Sequence, residues 1–320
     1  MTRNNSRLRS PILALTAIFA LAAFPARANE TLTVLLDWFV NPDHGPIVVA
    51  LEKGMFQEAN LDVLLVEPAD PNDPPKLVAA GKAELAITYQ PQLQMAVAEG
   101  LPLVRIATLV ATPLNSLVVL DKGPIRTIAD LKGRKIGYSI GGFEDALLGA
   151  MLEKHGLSLS DVELVNVNFS LSPSLLSGQV DAVIGAFRNF ELNQMALEKN
   201  PGRAFYPEEE GVPAYDELVI VTNTSLVQRA TLRRFVDVIE AATQFIVNHP
   251  DEAWEIFRNA APKKLDNELN RLAWRDTVAR FALRPGALDS RRYERFGAFL
   301  QQRGLIKTLP KLETYAVELR

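Results

Sequence analysis

The sequence contains no cysteine and only three histidines among its 320 residues. The missing cysteines exclude disulfide bonds, thiolate metal ligands and cysteine nucleophiles. His44, His155 and His249 are widely spaced, so they form no local motif for a metal ion. Charged residues make up 22% and hydrophobic residues 48% of the chain, a balance that indicates a folded globular protein rather than a disordered or polytopic membrane protein.

The first 28 residues have the three-part pattern of a secretory signal peptide. Three arginines precede an apolar run over residues 11–24, and Ala26-Arg27-Ala28 forms a small-x-small cleavage site. The run is shorter than the roughly 20 residues that span a bilayer, which disfavours a membrane anchor. Because no cysteine follows the cleavage site, we expect no lipid anchor and a soluble protein of the bacterial periplasm.

Removal of this segment would also change the charge balance. Four arginines would be lost, leaving 30 basic and 38 acidic residues, so the formal net charge would move from −4 to −8. An acidic protein is a poor partner for nucleic acid or for anionic lipid. We therefore expect the protein to bind neither nucleic acid nor a membrane surface. We also expect it to be a monomer.

Strand-like and helix-like segments alternate over the first part of the mature chain. Strands are expected at 31–37, 61–66, 84–88 and 103–110, with a helix running through Val48 to Phe56. This alternation predicts a parallel sheet with helices packed on its faces. Polar turns follow the ends of these predicted strands, and ligands bind at the carboxyl ends of the strands in such sheets.

A second α/β unit follows, and a helical region over residues 226–305 completes the chain. We expect lobe I to comprise residues 29–115 and 221–320, with lobe II formed by 116–220. Two segments, near Asn115–Leu120 and Glu217–Thr222, would cross between the lobes as a hinge. A ligand would then bind in the cleft between the lobes, and we include Asn115 among the expected ligand contacts.

The segment from Leu36 to Gly45 places several polar and aromatic side chains just after a strand. Trp38 could stack on a flat ring, Asp37 and Asn41 could form hydrogen bonds with a ring edge, and His44 is a further candidate. The alternative is a packed tryptophan beside a turn that Asn and Asp side chains stabilise. Tyr89 and Gln90 follow another strand and are expected to contact the ligand, although Tyr89 could instead cap the sheet edge.

Two further turns are candidate sites in the second unit. The amides of Gly141 and Gly142 precede a helix and could bind an oxyanion or a carbonyl, although a plain turn accounts for them equally well. Phe187 and Glu191 are four residues apart, and the Glu191 carboxylate suits paired N–H donors. A solvated first-turn carboxylate is the alternative. No nucleophile elbow or metal-ligand spacing indicates catalysis.

Four segments resemble the periplasmic proteins that bind thiamine pyrimidine precursors for ABC import. They are LDWFVNPDHGPIVVALEKGMF, LLVEPADPNDPPKLVAAGKAELAITYQPQ, LKGRKIGY and DAVIGAF, within about Leu32 to Thr222. The resemblance implies a type II periplasmic-binding-protein fold, in which two α/β lobes are joined by a two-strand hinge and carry a helical C-terminal tail. It also implies that certain side chains surround the pyrimidine, namely Trp38, Tyr89, Phe187 and Glu191, and that His44 matches the family's histidine.

The same superfamily includes the eukaryotic enzyme that makes hydroxymethylpyrimidine phosphate. That enzyme consumes its own lysine and histidine and carries a cysteine-rich motif, whereas this chain has Thr88 and Gln92 at those places and no cysteine. The departure favours a binding protein over a synthase, with no catalytic residue, cofactor or metal expected.

The resemblance also implies partners for the protein. These are a small pyrimidine, such as hydroxymethylpyrimidine or N-formyl-4-amino-5-aminomethyl-2-methylpyrimidine, and an ABC permease with its cytoplasmic ATPase. Relatives of similar shape bind sulfonates or riboflavin, so an alkanesulfonate and a riboflavin-like solute stay open as alternatives. Phe187 lacks the hydrogen-bonding group that a tyrosine or another polar aromatic residue would supply there, so the substituents of the pyrimidine stay open.

Overall fold

The structure is a computed structural model that describes residues 1–2 and 29–319. The predicted signal peptide covers the first 28 residues, and residues 3–28 of it lie outside the described residues. The first strand begins at Glu30, two residues after the predicted cleavage site. Within the described ranges, no helix is long and apolar enough to cross a membrane.

The described chain forms two lobes, each built around a five-stranded sheet. The strands are β1 (Glu30–Leu35), β2 (Leu61–Val66), β3 (Leu85–Thr88), β4 (Leu103–Val110), β5 (Asn115–Leu120), β6 (Lys135–Tyr138), β7 (Glu163–Asn166), β8 (Ala182–Phe187), β9 (Gly202–Phe205) and β10 (Leu218–Asn223). Lobe I has the order β2-β1-β3-β10-β4, and lobe II has the order β7-β6-β8-β5-β9. The predicted two-lobed α/β fold is confirmed.

Both sheets are mixed, whereas the sequence predicted a parallel sheet. In lobe I, β1 pairs in parallel with β2 and β3, as predicted. Strand β10 is inserted between β3 and β4 and runs antiparallel to both. Likewise, β5 runs antiparallel to β8 and β9 in lobe II. The reason is that β5 and β10 enter their sheets directly from the other lobe, so no crossover helix reverses the chain before them.

Twelve α-helices among the described residues cover the sheets and extend the C-terminal part of lobe I. They are α1 (Gly45–Glu52), α2 (Met55–Glu58), α3 (Pro74–Ala79), α4 (Gln90–Ala98), α5 (Phe143–Lys154), α6 (Leu171–Leu176), α7 (Glu191–Leu197), α8 (Ala230–Asn248), α9 (Pro250–Ala260), α10 (Pro262–Leu265), α11 (Glu268–Val278) and α12 (Ser290–Gln302). The helical region predicted after residue 226 is therefore confirmed. It packs on lobe I, where α8 contacts α1 and α12 contacts α4.

The helix predicted through Val48 to Phe56 is in fact two helices. Gly54 has a φ of +71°, a left-handed conformation that glycine adopts without steric cost, and it separates α1 from α2. The break turns Phe56 into the core, where its ring stacks on Phe235 of α8 at a centroid distance of 5.3 Å. The interruption therefore fixes the first helices of lobe I against the C-terminal helices.

Arg105 in β4 joins the end of the described chain to the sheet of lobe I. Its backbone N–H donates to the carbonyl of Tyr315 at 2.8 Å, and its carbonyl accepts from Val317 N–H at 3.0 Å. The fully buried guanidinium also donates to the carbonyls of Pro285 and Ala287, at 2.9 and 2.5 Å. The last residues therefore form part of the packed interior of lobe I.

The chain passes between the lobes twice, over residues 111–114 and again over residues 206–217. The buried carboxylate of Glu217 joins these two passages, because it accepts hydrogen bonds from the N–H groups of Leu114 and Asn115 at 2.5 and 2.9 Å. Burial raises the pKa of Glu217 to about 7. The domain limits at residues 115/116 and 220/221 stay a prediction.

Candidate functional site

A cavity lies between the two lobes and is open to solvent on one side, with about 430 Å³ of empty space when its mouth is included. Lobe I contributes Asp37, Trp38, Asn41, Asp43 and Tyr89 to the lining. Lobe II contributes Ile140, Phe143, Glu144, Leu171, Gly185, Phe187, Phe190 and Glu191. The cavity therefore lies at strand ends, where the sequence placed it.

The lobe I wall is built by a short turn after β1. Asn41 caps the 3-10 helix Pro42–His44, since its side-chain oxygen accepts a hydrogen bond from Asp43 N–H at 2.8 Å. The Asn41 N–H donates to Nδ1 of His44 at 3.2 Å. This nitrogen is an acceptor, so the neutral ring carries its proton on Nε2, which donates to Asp37 Oδ1 at 2.9 Å.

His44 therefore positions Asp37 rather than lining the cavity. The imidazole has no exposed surface and is absent from the cavity wall. The second oxygen of Asp37 accepts a hydrogen bond from the Tyr89 hydroxyl at 2.8 Å. Burial and the neighbouring Asp37 carboxylate raise the pKa of Tyr89 well above its usual value. His44 and Tyr89 thus engage the two oxygens of Asp37 and fix the orientation of this carboxylate in the cavity wall.

Aromatic rings form the walls of the cavity. Tyr89 stacks on Phe143 with a centroid distance of 5.1 Å and an interplanar angle of 19°, and it meets the edge of Phe187 at 6.4 Å. Trp38, which is half-buried, packs edge-on against Phe169 of lobe II at 4.7 Å. Because Trp38 and Phe169 come from different lobes, this contact also joins the two sides of the cleft.

Glu191 and Glu144 place two buried carboxyl groups at the lobe II side. Glu191 Oε2 accepts a hydrogen bond from Phe187 N–H at 2.7 Å, and burial raises the pKa of Glu191 to about 7. Glu144 Oε2 accepts from the N–H groups of Ser139 and Ile140 at 2.7 and 3.2 Å. Burial raises the pKa of Glu144 further, to about 8.

Asp43 is the fourth carboxyl group of the lining. Its Oδ1 accepts a hydrogen bond from Asn189 Nδ2 at 2.7 Å, and the Thr277 hydroxyl lies 3.1 Å from the same oxygen. Burial raises the pKa of Asp43 to about 6. Sequence reasoning singled out neither Asp43 nor Glu144. Asp43 lies inside the turn that was singled out, and Glu144 directly follows the Gly141-Gly142-Phe143 turn, so both were close to a recognised signal.

The structure brings six of the eleven predicted site residues to the cavity, namely Asp37, Trp38, Asn41, Tyr89, Phe187 and Glu191. Five lie outside its wall, namely His44, Gln90, Asn115, Gly141 and Gly142.

The residues outside the wall have structural partners. Gln90 binds the backbone of Asp216, since its side-chain oxygen accepts from Asp216 N–H at 2.9 Å. Asn115 accepts from Gly185 N–H at 3.1 Å. The N–H groups of Gly141 and Gly142 donate to the side chains of Asn72 and Asp145, at 3.2 and 3.1 Å, so neither amide points free into the cleft.

The charge of the lining is one-sided. Four carboxyl groups face the cavity, and no lysine, arginine or histidine is among the residues that line it. Arg188, an arginine near the end of β8, is bound elsewhere, because it donates twice to the Glu208 carboxylate at 2.6 and 3.0 Å. Over the described part of the chain, no three His, Asp or Glu side chains are grouped so as to hold a metal ion.

Solved structures with the same architecture define the fold class. A Candida albicans gene product described as having the generic periplasmic binding protein fold superposes with a TM-score of 0.69 at 18% identity, covering 91% of this chain and 97% of that chain. The periplasmic aliphatic sulphonate binding protein SsuA from Escherichia coli gives a TM-score of 0.67 at 14% identity, with coverages of 89% and 91%. The chain thus has the periplasmic-binding-protein fold.

Sequence relatives narrow this class to one family. The model of the NMT1/THI5-like family matches residues 41–253, and the chain belongs to this family. A Haemophilus influenzae protein named for thiamine biosynthesis is 56% identical over 92% of this chain and 94% of its own length. The formylaminopyrimidine-binding protein of Halalkalibacterium halodurans is 37% identical, covering 72% of this chain and 70% of that protein.

The enzyme branch of the family is more distant. The 4-amino-5-hydroxymethyl-2-methylpyrimidine phosphate synthase of Candida albicans is 26% identical, covering 80% of this chain and 78% of the enzyme. The resemblance noted from the sequence is therefore confirmed at the level of the family, and it includes binding proteins as well as synthases.

Proposed function

We propose that the protein is a periplasmic solute-binding protein that delivers a thiamine pyrimidine precursor to an ABC importer. The observation that carries this proposal is the cavity between the lobes, which has aromatic walls and carboxyl groups at its edges. A flat heteroaromatic ring with N–H donors complements both features. Lobe I (residues 29–115 and 221–320) and lobe II (116–220) would close around the ring by bending at the two crossings.

Glu191 is suited to read the edge of an aminopyrimidine. One of its oxygens is held by Phe187 N–H, and the side chain lines the cavity. A pKa of about 7 means that the carboxyl group is able to gain or lose a proton near neutral pH. It would accept from an exocyclic amino group and share a proton with the adjacent ring nitrogen.

Two observations support a binding role rather than catalysis: the name of one relative, and two positions at which this chain differs from the synthases. The relative that is 37% identical is named as a binding protein. Thr88 and Gln92, which replace the lysine and histidine of the synthases, form a hydrogen bond with each other. Delivery to a permease and its ATPase, release into the periplasm and a monomeric state belong to the same proposal.

The charge of the cavity disfavours an alkanesulfonate as the ligand. A sulfonate needs cationic or N–H-rich contacts, and the lining offers four carboxyl groups without a basic side chain. Arg188 directly follows Phe187 of the cavity wall and would be a candidate to bind a sulfonate, but its guanidinium is paired with Glu208. A riboflavin-like ligand is a separate alternative, which would show itself as a yellow colour in the purified protein.

The direct test is identification of the solute that the protein carries. Protein purified under native conditions would release its ligand on unfolding, and mass spectrometry would identify a pyrimidine. Ligand-free protein should then gain thermal stability with hydroxymethylpyrimidine or the formylated aminomethylpyrimidine. At a ligand concentration of about 100 times Kd the gain is about 2.7 kcal/mol. Stabilisation by an alkanesulfonate or riboflavin, with none by either pyrimidine, would contradict the proposal.

Two cavity variants locate the binding in the cleft. Trp38→Ala removes a ring of the wall, and Glu191→Gln removes the carboxyl group while keeping its shape. Each should weaken pyrimidine binding by about 1–3 kcal/mol in calorimetric titrations. Glu198→Gln is the matched control, because this exposed side chain lies just after the C-terminal end of the same helix and outside the cavity, and the variant should bind as tightly as the wild type.

A further inference from the structure

Asp43 has one carboxyl oxygen without a protein partner. The residue is only 1% exposed and lines the cavity. Asn189 and Thr277 engage Oδ1, whereas Oδ2 is buried and makes no hydrogen bond to any residue in the described ranges. Buried polar atoms are nearly always paired, and an unpaired carboxylate oxygen is especially costly. The Asp43 side chain is therefore held firmly through one oxygen while the other is left for a ligand.

The wall of the cavity supplies no basic side chain to offset the charge of Asp43. The other ionisable side chains of the wall are Tyr89 and three acids, Asp37, Glu144 and Glu191. His44 lies outside the wall; its Nε2 donates to Asp37, and its electrostatic effect on Asp43 opposes the rise in pKa that burial causes. The pKa of Asp43 lies at about 6, below those of Glu191 and Glu144, at about 7 and 8. Asp43 thus lies among acidic groups in a cavity wall that has no basic side chain.

We propose that Asp43 is a specificity-determining residue that binds a positively charged amino group on the ligand through Oδ2. This inference rests on the proposed function and deepens it: the site would prefer the free aminomethylpyrimidine to the neutral hydroxymethyl form. An ammonium group offers both the charge and the hydrogen-bond donors that this oxygen lacks. A metal ion is a poorer complement, since no group of three ligating side chains surrounds the position in the described residues.

Lobe closure contributes to this recognition. Asp43 belongs to lobe I, and Asn189, which holds its Oδ1, follows β8 of lobe II. The Asn189 contact therefore joins the two lobes, and together with Thr277 it sets the direction of the free oxygen. A ligand that neutralises the Asp43 charge would favour the arrangement in which this contact is made, because it removes the cost of an unpaired buried charge.

The test compares two near-isosteric ligands by calorimetric titration at pH 7. These are 4-amino-5-aminomethyl-2-methylpyrimidine, whose primary amine carries a proton, and its 5-hydroxymethyl counterpart. The wild type should bind the amine at least about tenfold more tightly. Asp43→Asn keeps an oxygen for Asn189 but replaces the free oxygen by an NH₂ group. The variant should therefore bind the aminomethyl and hydroxymethyl ligands with about equal affinity. Asp62→Asn, an exposed change on β2, should keep the wild-type preference.

Each outcome decides the matter. Equal affinity of the wild type for the two ligands, or tighter binding of the hydroxymethyl form, would overturn the role of Asp43 while leaving the proposed function intact. A preference that persists in folded Asp43→Asn protein would do the same. The comparison within the wild type needs no variant, so it decides even if Asp43→Asn does not fold. Failure of both pyrimidines to bind would instead overturn the proposed function, and this inference with it.

Discussion

Glu144 should make the ligand-free protein more stable in mildly acidic solution than at neutral pH. Its side chain is buried, accepts hydrogen bonds from Ser139 and Ile140, and has a pKa raised from 4.5 to about 8 by burial. A carboxyl group with a raised pKa binds its proton more tightly in the folded than in the unfolded chain. Its stabilising contribution is therefore complete below pH 4.5 and is lost as the pH rises through about 8.

The magnitude follows from proton linkage. Over most of the interval between the two pKa values, the free energy of unfolding falls by about 1.4 kcal/mol per pH unit for one such group. Between pH 5 and 7, Glu144 alone should therefore lower it by about 2–3 kcal/mol. Asp43, Glu191 and Glu217 also have raised pKa values, so their contributions have the same sign. Protein that retains ligand would obscure this dependence, so the ligand is removed first.

Glu144→Gln isolates the contribution of one group. The amide oxygen of glutamine still accepts from the two N–H groups but does not titrate. Urea unfolding followed by circular dichroism at pH 5, 6, 7 and 8 should give a smaller decrease with pH than the wild type shows, by about 2–3 kcal/mol between pH 5 and 7. Glu99→Gln, at an exposed position after α4, is the control and should follow the wild-type curve. Parallel curves for Glu144→Gln and wild type would refute the reasoning.

Three further substitutions test the packing of the site. In Gly185→Ala, the new Cβ would overlap Glu144 Oε1 on a backbone with φ of +99°, so urea unfolding should show a loss of about 1–3 kcal/mol in the free energy of unfolding. Wild-type stability would contradict this. His44→Ala removes a buried ring and a partner of Asp37, and it should cost about 2–4 kcal/mol in the same assay, whereas a neutral effect would show that the turn does not need the imidazole. Tyr89→Phe removes only the hydrogen bond from the Tyr89 hydroxyl to Asp37, so the free energy of unfolding should fall by about 1 kcal/mol. A loss as large as that for His44→Ala would show that the Tyr89 hydroxyl supports more than this one contact.

Local alternation predicted the strands and helices well but not how the strands are paired. The strands β1 to β4 were expected at nearly their observed positions, because apolar runs and turn residues are local signals. The insertion of β10 between β3 and β4 depends on where the chain returns from lobe II, which no local pattern encodes. The short edge strand β9 was not predicted, since its four half-buried residues give little alternation.

The site shows the same division. The aromatic and polar residues after β1 and β3, such as Trp38 and Tyr89, were recognised because unusual side chains followed predicted strands. The Gly141-Gly142 turn has the sequence of an anion site, yet its amides are taken by Asn72 and Asp145, partners that only the folded chain reveals. Glu144 was missed for the converse reason: a glutamate in a first helical turn is usually solvated, and here its side chain is buried against Gly185 of β8 and the N–H groups of Ser139 and Ile140.

The packing of residues 315–317 beside Arg105 affects the stage of synthesis at which lobe I is able to fold. Arg105 lies in the first third of the chain, but its buried guanidinium donates to the carbonyls of residues 285–287 and 317, besides the nearby Thr108. During synthesis, lobe I thus lacks an essential part of its interior until nearly the whole chain has emerged. A nascent chain in this condition would stay incompletely folded until residues 285–317 have been synthesised. Truncation before residue 315 should accordingly impair lobe I as a whole, rather than merely shorten its surface.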